Sequence, residues 1–419
     1  GTMYYHSTAK DIYLNPDSSY MLKQYRNLAS IEFMASWKAD RVVNLSNMFD
    51  TCTSLASLKG LENWDTSNVQ EMKCAFYACA KITALDELGN WHTSNVTDIV
   101  LRNDYYKQSW GLFQNCTSLK DATGISNWKL PKVTDFQKTF LGCKVLTTIG
   151  HMDISAAQKL DYFFDGCTSL SDLSGLSTWG VSNVISMPGL FNGCSSITTL
   201  AGIESWDTKN VTTITANNQY GTFANMTGLK DTTAIATWEL PNVTDFTALF
   251  YGDTNLVKVG HLDTSAATNL YRMFYNCYNL TDIDGMATWD VSKLQSLYQT
   301  FWECRSLSDL TPLASWKTTS LTNLQDAFKK CYGIMSLEPL STWDTSHVTN
   351  MVCTFDQCKS LINLKGLETW DTSKVEKIGY DGTQALFANM ISLEDASAIS
   401  TWKLPKVASF RSLFYNDPA

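Results

Sequence analysis

Ten of the 12 cysteines occupy one recurring position: Cys52, Cys79, Cys116, Cys143, Cys167, Cys194, Cys277, Cys304, Cys331 and Cys358. Thiols at a fixed period could pair as disulfides, bind metal as thiolates, or simply line a core. Met226 and Met390 fill the same slot in two copies, as an apolar slot would allow. Asp253 and Asp417 also stand there, which predicts a slot that is not uniformly dry. Cysteines of successive copies lie 24 to 37 residues apart and no histidine column accompanies them. The reading is a reduced, buried cysteine ladder, with disulfides between neighbouring rungs as the alternative and no metal expected. Cys74 and Cys353 belong to another column, shared with Asn47, Gly111, Lys138, Tyr162, Gly189 and Gly221. That mixture predicts partial exposure, hence an unpaired surface thiol or one bonded to a ladder cysteine or a partner.

Catalytic chemistry finds little to stand on. There are five histidines, and His151 and His261 share one repeat position, which suits a turn. An Asp follows the motif Trp or its substitute at 65, 153, 207, 263, 290, 344 and 371, but Lys38, Lys129, Lys317 and Lys403 take the same place, which argues against calcium. No Gly-rich phosphate loop, Gly-x-Ser-x-Gly elbow or His-Glu-x-x-His occurs. No enzyme activity and no cofactor is expected.

Binding chemistry concentrates in three insertions. One contains Arg102, Asn103, Asp104, Tyr105, Tyr106 and Trp110; the second Asn217, Asn218, Gln219 and Tyr220; the third Tyr380, Asp381 and Gln384. Each sets a tyrosine beside amides or carboxylates. Such sets hold sugars, the ring against C–H groups and the polar groups on hydroxyls. They also contact proteins, and they occur in plain surface loops.

The elements that must carry these loops are repeats. Trp64-Asp65-Thr66-Ser67-Asn68-Val69 returns at 206–211, 343–348 and 370–375 with small changes, and 12 of the 14 tryptophans mark this place. The commonest step is 27 residues, and a Phe appears in each of 14 copies, from Phe49 and Phe76 to Phe387 and Phe414. Such a period specifies a solenoid. Apolar residues seven, four and one before the Phe predict a short helix. Leu-x-x-Leu-x-Gly-Leu (Leu55 to Leu61) predicts a short strand and a turn. Asp-Thr-Ser reads as a helix N-cap. The expected fold is therefore an α/β repeat solenoid of about 14 stacked units of short strand plus short helix, residues 37–419, truncated at the C-terminus, behind an N-terminal cap over 1–36. The period itself makes the Trp column architecture rather than a sugar-stacking platform.

The pattern Val-x-x-Met-x-x-x-Phe-x-x-Cys-x-x-Leu-x-x-Leu, with Trp-Asp-Thr-Ser-x-Val between copies, resembles the bacterial surface-protein repeat of BspA-like leucine-rich-repeat proteins. The resemblance covers about residues 31–417. It implies a leucine-rich-repeat-type solenoid, extracellular display and adhesion to host or matrix surfaces, and supplies no catalytic residue. This chain departs from the common pattern in using Trp where many relatives use Phe, and in its insertions.

Two copies are three residues short and replace Trp by Met152 or Leu262. Segment 113–206 reads as a duplicate of 223–316, so a loop was copied with each block. Repeated loops suit multivalent weak binding. Net charge is −9, which argues against nucleic acid, and no apolar run is long enough to span a membrane. Gly1-Thr2-Met3 reads as an expression scar, so export signal and anchor are expected outside the fragment. The expected function is a monomeric, non-enzymatic adhesin region at the bacterial cell surface, binding a host glycan, glycoprotein or matrix protein. A structural spacer holding another domain away from the cell is the alternative; a weaker one is the non-catalytic part of a secreted carbohydrate-active enzyme.

Overall fold

A computed structural model describes residues 11–380 and 383–416. The chain forms two compact bodies, Gly1–Ile197 with Ala201–Asn210, and Thr198–Leu200 with Val211–Ala419. Each is a stack of rungs, one per sequence copy.

The segment before and after each Phe builds the stack. In one rung the N–H groups of Asn47, Phe49 and Thr51 donate to the carbonyls of Lys73, Ala75 and Tyr77 in the next, at 2.8, 2.9 and 2.7 Å. The intervening N–H groups turn back: Met48 to Leu45, Asp50 to Asn47 and Cys52 to Phe49, at 3.1, 3.2 and 3.0 Å. The second body repeats the weave, with Asp326, Phe328 and Lys330 donating to Val352, Thr354 and Asp356. Two left-handed residues in each regular rung make this alternation possible, Asn47 and Thr51 at φ 57° and 60°, Asp326 and Lys330 at 53° and 60°.

This is the physical reason the expected helix is absent. Left-handed residues interrupt any α-helical run, and half of the N–H groups leave for the neighbouring rung. Linked three-residue turns still bury a side chain every three or four positions, so their apolar spacing imitates a helix. Among the described residues all helical segments are 3-10 turns of three or five residues, such as Glu32–Met34, Thr123–Ile125 and Glu338–Thr342. They lie at the opposite corner, where Leu-x-x-Leu was read as a strand. What remains of strand is single parallel bridges: Ala84 to Asp121 to Thr148, and Asn44 to Glu71 to Asp98. The α/β expectation is thus corrected, while the repeat solenoid stands.

Regular strands are few. β1 (Ile12–Tyr13) pairs in parallel with β2 (Trp37–Lys38). Tyr20, Leu22 and Gln24 donate to Ser46, Met48 and Asp50, so within the expected cap the chain already takes the form of a rung, with Leu22 in the place of Phe. Tyr4 and Tyr5 of that cap lie outside the described residues.

The core consists of columns. Phe49, Phe76, Phe113, Phe140, Phe164 and Phe191 stack at 5.4 to 6.0 Å in the first body. Trp289, Trp316, Trp343, Trp370 and Trp402 stack at 6.0 to 6.4 Å in the second. Each indole also donates to a carbonyl one rung back, as in Trp316 to Met286 at 2.9 Å and Trp91 to Leu61 at 3.0 Å. The Trp-Asp-Thr motif joins rungs rather than capping helices. Asp65 accepts the Ser67 N–H at 3.0 Å, a local turn, and Thr66 exchanges two bonds with the His92 backbone.

All 12 cysteines are free and buried. Each ladder thiol donates to the carbonyl of the Phe one rung back, Cys79 to Phe49 and Cys331 to Phe301 among them, at 3.1 and 3.0 Å, and Cys52 donates to Leu22, which stands in the place of Phe. Cys74 and Cys353 are 2% and 0% exposed, which corrects the expected partial exposure. Burial pushes the Cys52 thiol up to about 11 and those of Cys74 and Cys353 to about 12. Ellman's reagent should therefore modify none of the 12 thiols in the native chain and all of them in denaturant. Fewer than 12 in denaturant would reveal disulfides.

Asp253 takes the cysteine place and, contrary to expectation, is fully buried. One oxygen accepts the Met226 N–H at 2.7 Å; the other has no partner. Burial holds its pKa well above the usual carboxylate range. Below the unfolded-state pKa both states are protonated and the ionisation penalty is absent. Above it the unfolded chain ionises first, and stability falls by about 1.4 kcal/mol per pH unit until the folded pKa is passed. Asp253→Cys should be more stable than the parent at pH 7, with the difference shrinking toward a pH-independent remainder near pH 4. Urea unfolding at several pH values measures it, and a constant difference would refute the assignment.

Candidate functional site

The three insertions emerge where the chain approaches the Phe. In the first body, β3 (Leu101–Asn103) and β4 (Gln108–Trp110) form an antiparallel hairpin. In the second, β5 (Thr215–Ala216) and β6 (Tyr220–Gly221) form a shorter one. The third is closed by a bridge between Gly379 and Ala385. Gly111 and Gly221 end the hairpins where a Cβ would lie 2.1 and 2.2 Å from the carbonyls of Lys138 and Ala248. Only glycine lets the strand return onto the rung there.

Side chains tie the first hairpin down. Arg102 forms an ion pair with the buried Asp135. Ser109 bonds Gln137 at 3.2 Å, and Lys138 donates to the Ser109 carbonyl at 3.1 Å. Asn103 accepts the Tyr106 N–H at 3.1 Å and shapes the turn. Arg102 and Asn103, both read as binding candidates, thus also hold the hairpin. Its tip is open: Tyr105 and Tyr106 are 86% and 65% exposed, packed edge to face at 4.8 Å. Asp104 is exposed beside them, and Trp110 is half-buried at the foot.

In the second insertion Asn217, Asn218, Gln219 and Tyr220 are exposed, and Asn217, at φ 55°, accepts the Gln219 N–H at 3.3 Å. The third folds back across its neighbours. Tyr380 accepts a hydrogen bond from Gln325, and Gln384 accepts one from Lys329 at 3.2 Å. Asp381 lies outside the described residues.

Beneath that third loop sits a buried ion cluster. Lys329, 3% exposed, reaches Asp326 at 3.4 Å and Asp356 at 3.1 Å. Burial pushes the Asp326 carboxyl up. The cluster continues into columns of rings that the sequence reading did not single out. Tyr271 stacks on Tyr298 at 4.7 Å, and Tyr251 on Tyr275 at 5.1 Å. The Arg272 guanidinium lies 4.8 and 5.3 Å from the Tyr271 and Tyr275 rings, and the Lys329 ammonium lies 4.7 Å from Trp302. Register alone could have found them, since these tyrosines share positions three before and one after the Phe. One face of each tyrosine is taken by its stacked neighbour, and Arg272 lies against Tyr271 and Tyr275. The tip of the first hairpin is different, because its two rings are mostly uncovered.

His151 and His261 each bond a threonine of the following rung, Thr178 at 2.8 Å and Thr288 at 2.6 Å. Among the described residues no group of three His, Cys, Asp or Glu could hold a metal ion, and no helix is long and apolar enough to cross a membrane.

The family described as "Mycoplasma protein of unknown function, DUF285" matches residues 17–102, 107–222, 217–337 and 322–419. No curated protein matches. Among solved structures the chain is similar to a leucine-rich repeat protein of Bacteroides ovatus, at 15% identity over 88% of this chain and 84% of that one, TM-score 0.41. A second, from Eubacterium ventriosum, is 17% identical over 70% and 76%, TM-score 0.34. A leucine rich cell surface protein of Faecalibacterium prausnitzii is 20% identical over 75% and 83%, TM-score 0.33.

Lys329→Met should destabilise the second body by about 3–5 kcal/mol, because it strands Asp326 and Asp356 in the interior. With its cation gone, the Asp326 pKa rises further above the unfolded value. The penalty should therefore be larger at pH 8 than at pH 5 in denaturant titrations. A pH-independent loss would mean that packing, not charge, is what the lysine supplies.

Proposed function

The chain belongs to the family described as Mycoplasma protein of unknown function, DUF285, and from that membership we propose a non-enzymatic binding region of a bacterial surface protein. Its motif resembles the BspA-like leucine-rich repeats, which supports display outside the cell. The ligand is a host glycan, glycoprotein or matrix protein. One observation carries this reading: a hairpin fixed to the stack by an ion pair and two hydrogen bonds ends in two uncovered tyrosines. Tethering the base spares the entropy that a mobile loop would lose on binding. Exposed aromatic rings on a rigid support are favourable contact groups, with large area and few torsions to freeze. The loops around Asn217–Tyr220 and Tyr380–Gln384 would add weaker contacts to the same molecule or its neighbours.

A glycan and matrix-protein array tests the proposal. The double variant Tyr105→Ser/Tyr106→Ser should bind about tenfold or more weakly to whatever the parent retains. Undiminished binding would remove the hairpin tip from the site. A parent that binds nothing on the array would favour the spacer reading instead.

A further inference from the structure

At the foot of the same hairpin the first body holds a cleft of about 290 Å³ with a mixed, predominantly apolar lining that includes Lys23, Asn47, Asp50, Tyr77, Leu101 and Trp110. Leu101 and Trp110 are cross-strand partners in the hairpin, so the insertion itself supplies this wall. The rungs supply the rest.

Asn47 is the informative member. It is 1% exposed, and neither Nδ2 nor Oδ1 has a hydrogen-bond partner. A buried amide left unpaired is destabilising, so something must retain it. Backbone shape favours an asparagine there without demanding one. Asn47 has φ 57°, but Cys74, Lys138, Tyr162, Ala248 and Arg272 hold the same position at φ 53° to 57°. Packing does not require an amide either, since alanine and cysteine serve in that column.

Around Asn47 the groups suit a sugar. Asp50 pairs with Lys23 at 2.9 Å and accepts the Thr51 hydroxyl at 2.6 Å, which leaves it further lone pairs. The pair is neutral overall, which favours an uncharged ligand. Trp110 and Tyr77 are half-buried aromatic groups in the lining. An amide gives N–H donors and a carbonyl acceptor, and a carboxylate accepts from hydroxyls. Together with an indole they match a pyranose, which sets adjacent hydroxyls against an apolar C–H face. The volume suits a single ring and its substituents.

We propose that this cleft binds one pyranose residue of a neutral glycan, Asn47 and Asp50 taking adjacent hydroxyls and Trp110 the apolar face of the ring. The assignment deepens the binding function proposed above and rests on it. Lys23, whose side chain is 31% exposed, is the more solvent-open member of its pair with Asp50.

Saturation-transfer NMR on the whole chain, with methyl β-galactoside, methyl α-mannoside and methyl β-glucoside as probes, tests this. At least one should receive saturation. Asn47→Ala should weaken its binding about tenfold, the loss of two hydrogen bonds. The variant should stay folded with an unfolding midpoint near the parent's, because losing an unpaired buried amide offsets losing asparagine's left-handed preference, and Ala248 occupies the same position elsewhere at φ 56°. Tyr105→Ser/Tyr106→Ser should leave this small-sugar binding unchanged. The assignment is overturned if no probe is saturated, if Asn47→Ala binds as the parent does, or if only N-acetylglycine methylamide binds, which would make the ligand a peptide. Array binding that persists without sugar binding sinks the cleft alone. Sugar binding that persists without array binding sinks the hairpin-tip reading alone.

Discussion

The stack depends on one arrangement of the backbone. In each rung alternate N–H groups point along the stack to the next rung, and those between them close local turns. A rung therefore satisfies its own polar groups only half-way and needs neighbours for the rest. The same holds for its side chains, since Phe, Trp and Leu are covered by their equivalents one rung away. Repetition here is a requirement of hydrogen bonding as much as of burial.

The arrangement has a conformational cost. Two residues in each regular rung, and one in each rung that carries an insertion, sit in the left-handed region, where most side chains are disfavoured by roughly 1–2 kcal/mol. Lysine, tyrosine, glutamine and arginine all occupy these places, so hydrogen bonding between rungs outweighs the local preference. Glycine fills the second left-handed position in several rungs, including Gly142, Gly166, Gly193 and Gly252. Elsewhere the chain keeps a side chain at that place and uses it, as Lys330 does in reaching Glu303 at 2.6 Å.

Regular columns leave little room for a site, so the binding function we propose is placed at the departures from the period. The first insertion does two things at once. Its turn lifts two tyrosines clear of the stack, and its base raises a wall beside Asn47 and Asp50. The third insertion closes over a buried cluster of charges instead. Their compositions are alike in sequence, but what lies under each loop differs, and that sets what each can contact.

The sequence by itself determined the repeat, its period, the buried Trp, Phe and Cys columns and the places of the loops. All of these are properties of spacing, and a stacked array converts spacing directly into contact. Local structure was less legible. Linked turns and an α-helix bury side chains at nearly the same interval, and only the direction of the N–H groups separates them. That direction depends on the next rung, 27 residues away in the regular copies. The cleft was hidden for a similar reason. Asn47 looked like one filler of a mixed column, and Lys23, Tyr77 and Trp110 are distant from it along the chain. Only the tertiary structure places an unpaired amide, an ion pair and an indole around one volume, because stacking and the hairpin fold bring them together.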